Sequence, residues 1–304
     1  MEPVEAGGGT IPGWALANII ESFVNVVRAL AHPALWLNWS DPAAIMRFAY
    51  YGGSVQFFFV VFTLFLILTG IGLASRRFMW GMVIGLEALA NTLGRVVAWV
   101  GLLMVVQQIV IIFVQRVFAS AQISFGFGTM ISHDVSWWSE QLKLYNAMIV
   151  ALCATWTYVQ GGHVRVDLVY AVVRYRTRKI IDIVGALVLM MPMATLIWMY
   201  GWFFMWRHLI TPKISASDKL ELMLKKARIV KWNVETIGFS PNGFDAYFLF
   251  KILLVAFAGL VFLQAMAVVW RSWLELVEGE AAEGRYLDKD RLGDPQSERA
   301  AEIH

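Results

Sequence analysis

Uninterrupted apolar runs constrain the fold of this chain more than any other feature. The clearest run covers residues 55–74, contains no charged residue and stops at Arg76 and Arg77. About 20 apolar residues in a helix cross a hydrocarbon core of about 30 Å, and a helix bonds its own backbone groups where water is absent. Similar runs at residues 96–115, 142–160, 183–206 and 246–270 predict four more spans. The sequence therefore predicts an all-α, polytopic membrane protein with about five transmembrane helices.

The composition supports this class and argues against a soluble protein that binds nucleic acid. Apolar residues make up 59% of the sequence and charged residues 15%, which lies outside the soluble range. The net charge is +3, but the basic residues lie mostly beside the apolar runs, where they set orientation and contact anionic lipid. We therefore expect membrane lipids, and no nucleic acid, among the partners.

Two further segments have the periodicity of amphipathic helices. Residues 14–31 place apolar residues at helical spacing opposite a polar face that includes Glu21 and Arg28. Each of these charges would cost about 2.5–3.5 kcal/mol near the bilayer centre, so we expect an interfacial helix rather than a span. The segment SDKLELMLKKARIVK (217–231) predicts a short amphipathic helix, with the cap-type residues Ser215 and Ser217 at its start.

The predicted elements divide the chain into four parts. Residues 1–54 form an N-terminal amphipathic segment, and residues 55–80 form one extra transmembrane helix. Residues 81–275 form a four-helix membrane domain with an extramembrane insertion at 207–245. Residues 276–304 form a polar cytoplasmic tail, because the apolar periodicity is lost from Leu274 onwards.

The distribution of Lys and Arg orients the spans. Residues 117–137 contain neither, whereas the connection after the third span is rich in both: Arg165, Arg174, Arg176, Arg178 and Lys179. By the positive-inside rule, the first connection faces outward and the second faces the cytoplasm. The insertion at 207–245 is also basic, but the alternation of spans predicts that it lies outside.

Three polar residues form a stripe just before the second span. Glu87, Asn91 and Arg95 stand at i, i+4 and i+8, on one face of a helical lead-in at residues 81–95. One interpretation is a solvated or headgroup-facing stripe, and the other is a polar contact with another subunit. The sequence alone leaves both open.

No constellation of catalytic or metal-ligating residues emerges. The five histidines lie in connections, at span ends or in the tail, and no two share a helix turn. This argues against a membrane cytochrome, which needs paired axial histidines, and against a zinc hydrolase. Cys153 is the only cysteine, so an internal disulfide is excluded. We expect no catalytic, substrate-binding or metal-binding residue and no cofactor in this chain.

Two polar motifs flank the third span. WSEQL (138–142) stands at its outer end and GGHVRVDL (161–168) at its inner end. At about 1.5 Å per residue, the span separates Glu140 from His163 by about 30 Å, so the two motifs cannot share one site. Together they resemble the small membrane subunit, DctQ, of tripartite ATP-independent periplasmic (TRAP) transporters. The resemblance covers roughly residues 83–275. Within the family, the chain is similar to the longer subgroup linked to mannitol or chloroaromatic uptake. Gln141 departs from it by replacing an acidic residue common in that family.

The resemblance implies a defined role. In TRAP systems a soluble periplasmic protein captures the substrate, usually a carboxylate, and a large membrane subunit transports it with sodium ions. The small subunit braces the stationary scaffold of the large one. By this resemblance we expect a non-catalytic, multi-pass subunit of the bacterial inner membrane. Its expected partners are the large TRAP subunit, which binds the sodium, and the periplasmic binding protein.

The motif residues have a structural and a contact interpretation. Glu140 lies near a helix start, where the helix dipole favours a carboxylate, so we expect it to cap the helix or to contact a partner. His163, Arg165 and Asp167 alternate with apolar residues, so they face one way in an extended segment, where Arg165 can pair with Asp167. Next to them, Gly161 and Gly162 allow the chain to leave the helix. The inner motif is therefore expected to form a stabilising turn or a subunit contact.

Two other functions remain open from the residues themselves. The chain could be a membrane anchor for another inner-membrane complex, such as an electron-transfer assembly, or an autonomous secondary carrier. Haem absorbance would indicate the first, and transport by the isolated chain the second. Co-purification with a partner of roughly a dozen spans would instead indicate the TRAP scaffold.

Overall fold

The computed structural model describes residues 11–125, 131–161, 173–234 and 244–290. The helices are α1 (Ile11–Ala31), α2 (Ala34–Leu37), α3 (Pro42–Gly52), α4 (Val55–Ala74), α5 (Arg76–Arg116), α6 (Val135–Gln160), α7 (Tyr175–Gly185), α8 (Met191–Arg207), α9 (Leu220–Ala227) and α10 (Phe248–Glu278). Two short antiparallel hairpins pair β1 (Gln122–Phe125) with β2 (Ile131–Asp134), and β3 (Ile210–Thr211) with β4 (Lys231–Trp232). The protein is therefore all-α apart from these hairpins, as predicted.

Six helical segments in the described part of the chain are long and apolar enough to cross a membrane. Five correspond to the predicted spans: α4, α5, α6, the continuous segment Tyr175–Arg207 and α10. The sixth is α1, whose residues Gly13–Ala31 meet the same criteria. The prediction of a polytopic membrane protein is confirmed, with one more candidate span than expected.

Helix α1 turns its polar side inward and its apolar side outward. Ser22 is buried and donates a hydrogen bond to Thr63 of α4 at 2.8 Å, while Leu16 and Val27 are exposed. An interfacial helix would instead turn polar residues to water and bury its apolar face in the membrane. Ser22 has a partner on α4, and Arg28, near the helix end, can extend towards the membrane surface, so a membrane span is the alternative to the expected interfacial helix.

Helix α5 joins the predicted lead-in and the predicted second span without a break. Its 41 residues correspond to about 60 Å, roughly twice the thickness of the hydrocarbon core. One face is buried along its first half, at Met79, Val83, Ala90 and Val97. This spacing of four, seven and seven residues is that of a helix stripe, and the same part of α5 places Glu87 beside α10.

Pro192 changes the hydrogen bonding of the fourth predicted span. The chain forms a π-helical segment at Ala186–Met190 between α7 and α8, and the backbone N–H of Met191 donates to the carbonyl of Ala186, five residues earlier. Proline has no N–H to offer, so a helix must rearrange its bonds near it. The irregularity in this span is thus a π-helical turn just before Pro192.

Among the described residues, the two larger of three hydrophobic cores lie one towards each predicted membrane face, and the third, at Ile111, Ile123 and Val135, joins α5 to α6. The inner core packs α4, α5, α8 and α10 around Trp270 and Val83. The outer core packs α3 and α8 against the connection that follows α8, and it is centred on Trp206, Ile210 and Met223. Helix α9 is the amphipathic helix predicted within the insertion, since Met223 and Ala227 are buried in the outer core.

Two local predictions are wrong. Helix α9 begins at Leu220, and its N-cap is Lys219 without a side-chain hydrogen bond, so Ser215 and Ser217 do not cap it. The solvated tail expected from Leu274 onwards does not begin there, because α10 continues to Glu278 and Leu274 is 1% exposed. Glu275 at this end is 3% exposed because it pairs with Lys179 of α7, whereas Glu283 and Asp288 remain exposed.

Candidate functional site

The carboxylate of Glu140 fastens the outer end of α6 to the chain just before α10. Helix α6 begins at Val135, so Glu140 lies in its second turn and the N-cap position belongs to Asp134. Its Oε2 atom accepts a hydrogen bond of 2.6 Å from the backbone N–H of Phe244. The pKa of the Tyr247 hydroxyl is raised, mainly by partial burial and to a smaller extent by the neighbouring Glu140 carboxylate. Glu140 is therefore a bridge between two distant segments rather than a helix cap.

Aromatic rings reinforce the same joint. The indole Nε1 of Trp137 donates to Asp245 at 3.3 Å, and its ring lies 5.2 Å from that of Phe244. On the other side, the ring of His133 stacks on Trp137 at 4.4 Å. The outer motif and residues 244–247 thus form one joint, which we call the outer joint.

Gln141 connects α6 to α5 at the same end. Gln107 of α5 donates to the carbonyl of Trp138 at 2.9 Å and to the side-chain oxygen of Gln141 at 3.3 Å. The amide nitrogen of Gln141 in turn donates to the Tyr145 hydroxyl at 2.9 Å. An amide both accepts and donates, whereas an ionised carboxylate only accepts. A glutamine at position 141 therefore suits these two contacts better than an acidic residue would.

Between its ends, α6 packs closely on α5. A Cβ atom on Gly94 would collide with the side chain of Trp156, so only glycine allows this approach. The thiol of Cys153 is buried beside the carbonyl of Gly94 at 3.8 Å. Cys153 acts here as a small packing residue.

The inner end of α6 is fastened as well. Gly161 ends the helix with φ of +76°, a left-handed conformation that glycine adopts without strain. The side chain of Gln160 accepts from the backbone N–H of Asp290 at 2.8 Å and donates to Asn91 at 3.1 Å. The rest of the inner motif, Gly162, His163, Arg165 and Asp167, lies outside the described residues.

The polar stripe of α5 faces the chain's own C-terminal segment. Asn91 donates to the carbonyl of Asp288 at 2.8 Å, and Arg95 forms ion pairs with Asp288 at 2.8 Å and Asp290 at 2.7 Å. Glu87 and Asn91 are 5% and 1% exposed, so the interpretation of a solvated stripe is wrong for both, while Arg95 remains exposed. A contact between this stripe and another subunit stays a prediction.

A buried ionic network lies beside that stripe. Glu87 pairs with Arg271 of α10, Arg271 also reaches Glu275 at 3.3 Å, and Glu275 pairs with Lys179 of α7 at 2.7 Å. Lys179 further contacts Glu283 at 3.0 Å. We call these five residues the inner network. Three helices and the segment after α10 meet in it.

Sequence reasoning did not identify the inner network beyond Glu87. Arg271 and Glu275 stand four residues apart at the end of an apolar run, which is the spacing of a helical ion pair. This spacing alone could indicate an ion pair at the end of α10. In the sequence, Lys179 belongs to a basic connection that is predicted to face the cytoplasm. Nothing in the sequence predicts which helix it contacts.

These contacts form joints and not a reaction centre. The charges of the inner network are paired with each other, and the outer joint joins a carboxylate to a backbone amide. Among residues 11–125, 131–161, 173–234 and 244–290, no group of three or more His, Cys, Asp or Glu is arranged to hold a metal ion. The arrangement is suited to holding helices at fixed positions.

Comparison with known proteins gives one match. The family model for the DctQ component of tripartite ATP-independent periplasmic transporters matches residues 127–222. This range contains α6 and both motifs that flank it, and it is narrower than the resemblance expected over residues 83–275. No curated protein and no solved structure matches the chain.

Proposed function

We propose that this multi-pass membrane protein, whose residues 127–222 match the DctQ family model, is a non-catalytic scaffold subunit of a TRAP transporter. In this role it braces the large transport subunit in the bacterial inner membrane. The large subunit moves an organic acid together with sodium, and it holds the sodium and substrate sites. The present chain supplies a fixed support beside it.

The observation that carries this proposal is the double attachment of α6. The helix inside the family match is bonded at its outer end to Phe244 and at its inner end to Asn91 and Asp290. Between these ends it packs on α5 at a glycine contact. A support must resist displacement, and a helix fixed at both ends and along its length does so.

The ionisable residues of the inner network also support a structural role. Ion-coupled carriers place charged residues near the membrane midplane, where they bind ions or substrate. The five charged residues of the network instead lie at the predicted cytoplasmic ends of α7 and α10, in the lead-in of α5 and in the segment after α10. Paired charges at a helix end stabilise a joint without forming a transport path.

The outer face offers a surface for the periplasmic binding protein. On and around α9, four basic side chains are exposed: Lys219, Lys225, Arg228 and Lys231. Exposed charge of one sign steers a partner of opposite charge and accelerates association. We therefore propose that this basic surface helps to dock an acidic face of the binding protein, and that docking weakens as salt increases.

Co-expression with the neighbouring transporter genes tests the scaffold role. We expect the chain to co-purify with a large membrane subunit, uptake to stop when the chain is deleted, and the chain alone in liposomes to transport nothing. Transport by the isolated chain would overturn the proposal, as would haem absorbance in the purified complex.

Substitutions in the inner motif provide a sharper test. Arg165→Ala or Asp167→Ala is expected to lower the yield of complex with the large subunit more than it changes the sodium dependence of uptake. Gln115→Ala serves as a control, since Gln115 is exposed near the outer end of α5, across the predicted membrane from that motif. Unchanged complex yield with altered sodium dependence would contradict a scaffold.

A further inference from the structure

A cavity of about 550 Å³ lies mainly between α4, α8 and α10 in the membrane domain, and Leu93 of α5 and Leu152 of α6 also line it. Its walls include Phe58 and Val61 of α4, Ala194 and Met199 of α8, and Ala256 and Leu263 of α10. None of the contacts described above uses this space. It lies at a depth where the surrounding solvent is lipid, because each of these helices belongs to a candidate span.

Beyond its pairing with α1, α4 meets α8 near its start and α10 from its middle onwards, and the cavity lies between these two contacts. At one end Phe57 stacks on Trp198 with ring centres 6.1 Å apart. Towards the other end Phe65 stacks on Trp270 at 5.9 Å, and Trp270 donates to the Thr69 hydroxyl at 2.9 Å. Phe58 and Val61 lie between these contacts and face the opening.

The lining of the cavity favours hydrocarbon over water. None of the described residues that line it is charged. The hydroxyls of Ser54 and Thr195 reach its wall, but Ser54 already donates to the carbonyl of Tyr51 in α3 at 2.7 Å, and Thr195 donates to the carbonyl of Met191 in its own helix at 2.8 Å. A buried water needs two to four polar partners, and apolar cavities stay dry or take up apolar molecules. A hydrocarbon group is therefore the fitting occupant.

The volume distinguishes a lipid chain from a partner helix. One turn of α-helix with its side chains fills about 420–610 Å³, from a diameter of about 10–12 Å and a pitch of 5.4 Å. The cavity would accept hardly more than one such turn, and its 550 Å³ lies instead within the range of small-molecule pockets. A thin, flexible chain can enter between α4 and α8 where a helix cannot.

We propose that this cavity binds an acyl chain of a membrane phospholipid, which fills the gap between α4 and the α8–α10 pair. Without an occupant the lining would lose van der Waals partners on one side. The bound chain completes the packing of α4 at this level. This inference concerns the membrane domain by itself and does not depend on the scaffold role.

Photo-crosslinking in native membranes tests the proposal. Cells that express the full-length chain with its transporter partners are fed a fatty acid carrying a diazirine near its middle, and crosslinked peptides are mapped by mass spectrometry after irradiation. We expect lipid crosslinks at Phe58, Val61 and Met199 to exceed those on the exposed face of α5 around Trp99. Equal labelling of all exposed faces, or a crosslink from the cavity to another protein or a second copy of the chain, would overturn the proposal.

Cavity-filling variants make the test specific. Ala256→Phe places a ring in the cavity and is expected to abolish the cavity crosslinks, whereas Ala98→Phe, at an exposed position on α5, is expected to preserve them. Val61→Phe is the second filling variant, and gel filtration identifies any variant that does not fold. Undiminished crosslinks in a folded Ala256→Phe or Val61→Phe protein would refute the site. If neither variant folds, the distribution of crosslinks in the wild-type chain tests the site.

Discussion

Glu87 of α5 and Arg271 of α10 form a two-pronged ion pair although 184 positions separate them in the chain. Both carboxylate oxygens of Glu87 accept from the guanidinium, through Nε and Nη2. The remaining nitrogen, Nη1, donates to Glu275 and to the carbonyl of Arg285. One side chain therefore connects two spans and the segment after α10.

Loss of Arg271 is expected to destabilise the protein strongly. Arg271→Met leaves Glu87 buried without its partner, and breaking a buried pair in this way costs about 3–5 kcal/mol. The double variant Glu87→Leu with Arg271→Met removes both charges and should recover much of that loss. Chemical unfolding in detergent measures both. If the double variant is as unstable as the single one, the pair is not the source of the effect.

The glycine contact between α5 and α6 should tolerate no side chain. Gly94→Ala forces Trp156 to move, and overpacking of this kind costs about 1–3 kcal/mol. Gly85 lies on the same helix with open space around it, so Gly85→Ala is the matched control. It is expected to raise helix stability by about 0.5–1 kcal/mol. Thermal unfolding of both variants compares them, and equal effects would contradict a specific contact at Gly94.

The outer joint should open when Glu140 loses its carboxylate. Glu140→Ala leaves the buried N–H of Phe244 without an acceptor, at a cost of about 1–3 kcal/mol. Hydrogen exchange should then accelerate in residues 244–250. Glu140→Gln retains an acceptor oxygen and should have a smaller effect, while Ser139→Ala should have none. Unchanged exchange in Glu140→Ala would show that other contacts hold this joint.

Asn91 and Arg95 should differ although both contact the C-terminal segment. Asn91 is 1% exposed, so Asn91→Ala removes buried hydrogen bonds and should release residues 284–290, at a cost of about 1–3 kcal/mol. Arg95 is exposed, and its ion pairs with Asp288 and Asp290 are weakened by water and salt. Limited proteolysis of the segment should therefore increase in Asn91→Ala and change little in Arg95→Ala. The reverse order would contradict the structure.

Helix α1 is expected to place its two ends on opposite sides of the membrane. Single cysteines in Glu5→Cys and His32→Cys proteins can be labelled with a membrane-impermeant maleimide in intact cells and in inverted vesicles. Each cysteine should react from one side only, and from opposite sides. The native Cys153 is buried, which keeps the background low. Labelling of both positions from one side would restore the interfacial interpretation.

The sequence determines the spans more clearly than the contacts between them. Apolar length and charge placement were sufficient for α4, α6 and α10 because the bilayer imposes a length and excludes charge. The sequence did not predict that the polar side of α1 faces inward, because a polar stripe can face either water or another helix. That partner, Thr63, lies 41 positions away.

The candidate site was predictable only in part for the same reason. Glu140 and the stripe of Glu87, Asn91 and Arg95 were recognised as unusual polar residues at span ends. Their partners Phe244, Arg271 and Asp288 come from distant segments, and no local periodicity points to them. Charges after an apolar run were therefore read as solvated, although they are paired.

The two attachments of α6 have a consequence for the order of events during synthesis. Helix α6 leaves the ribosome long before Phe244 and Asp290, the residues that hold its two ends. At about 5–20 residues per second, the last of these appears many seconds after the helix has entered the membrane. Until then α6 is held only by its packing on α5. The attachment of α6 at both ends is therefore complete only after Asp290 has been made.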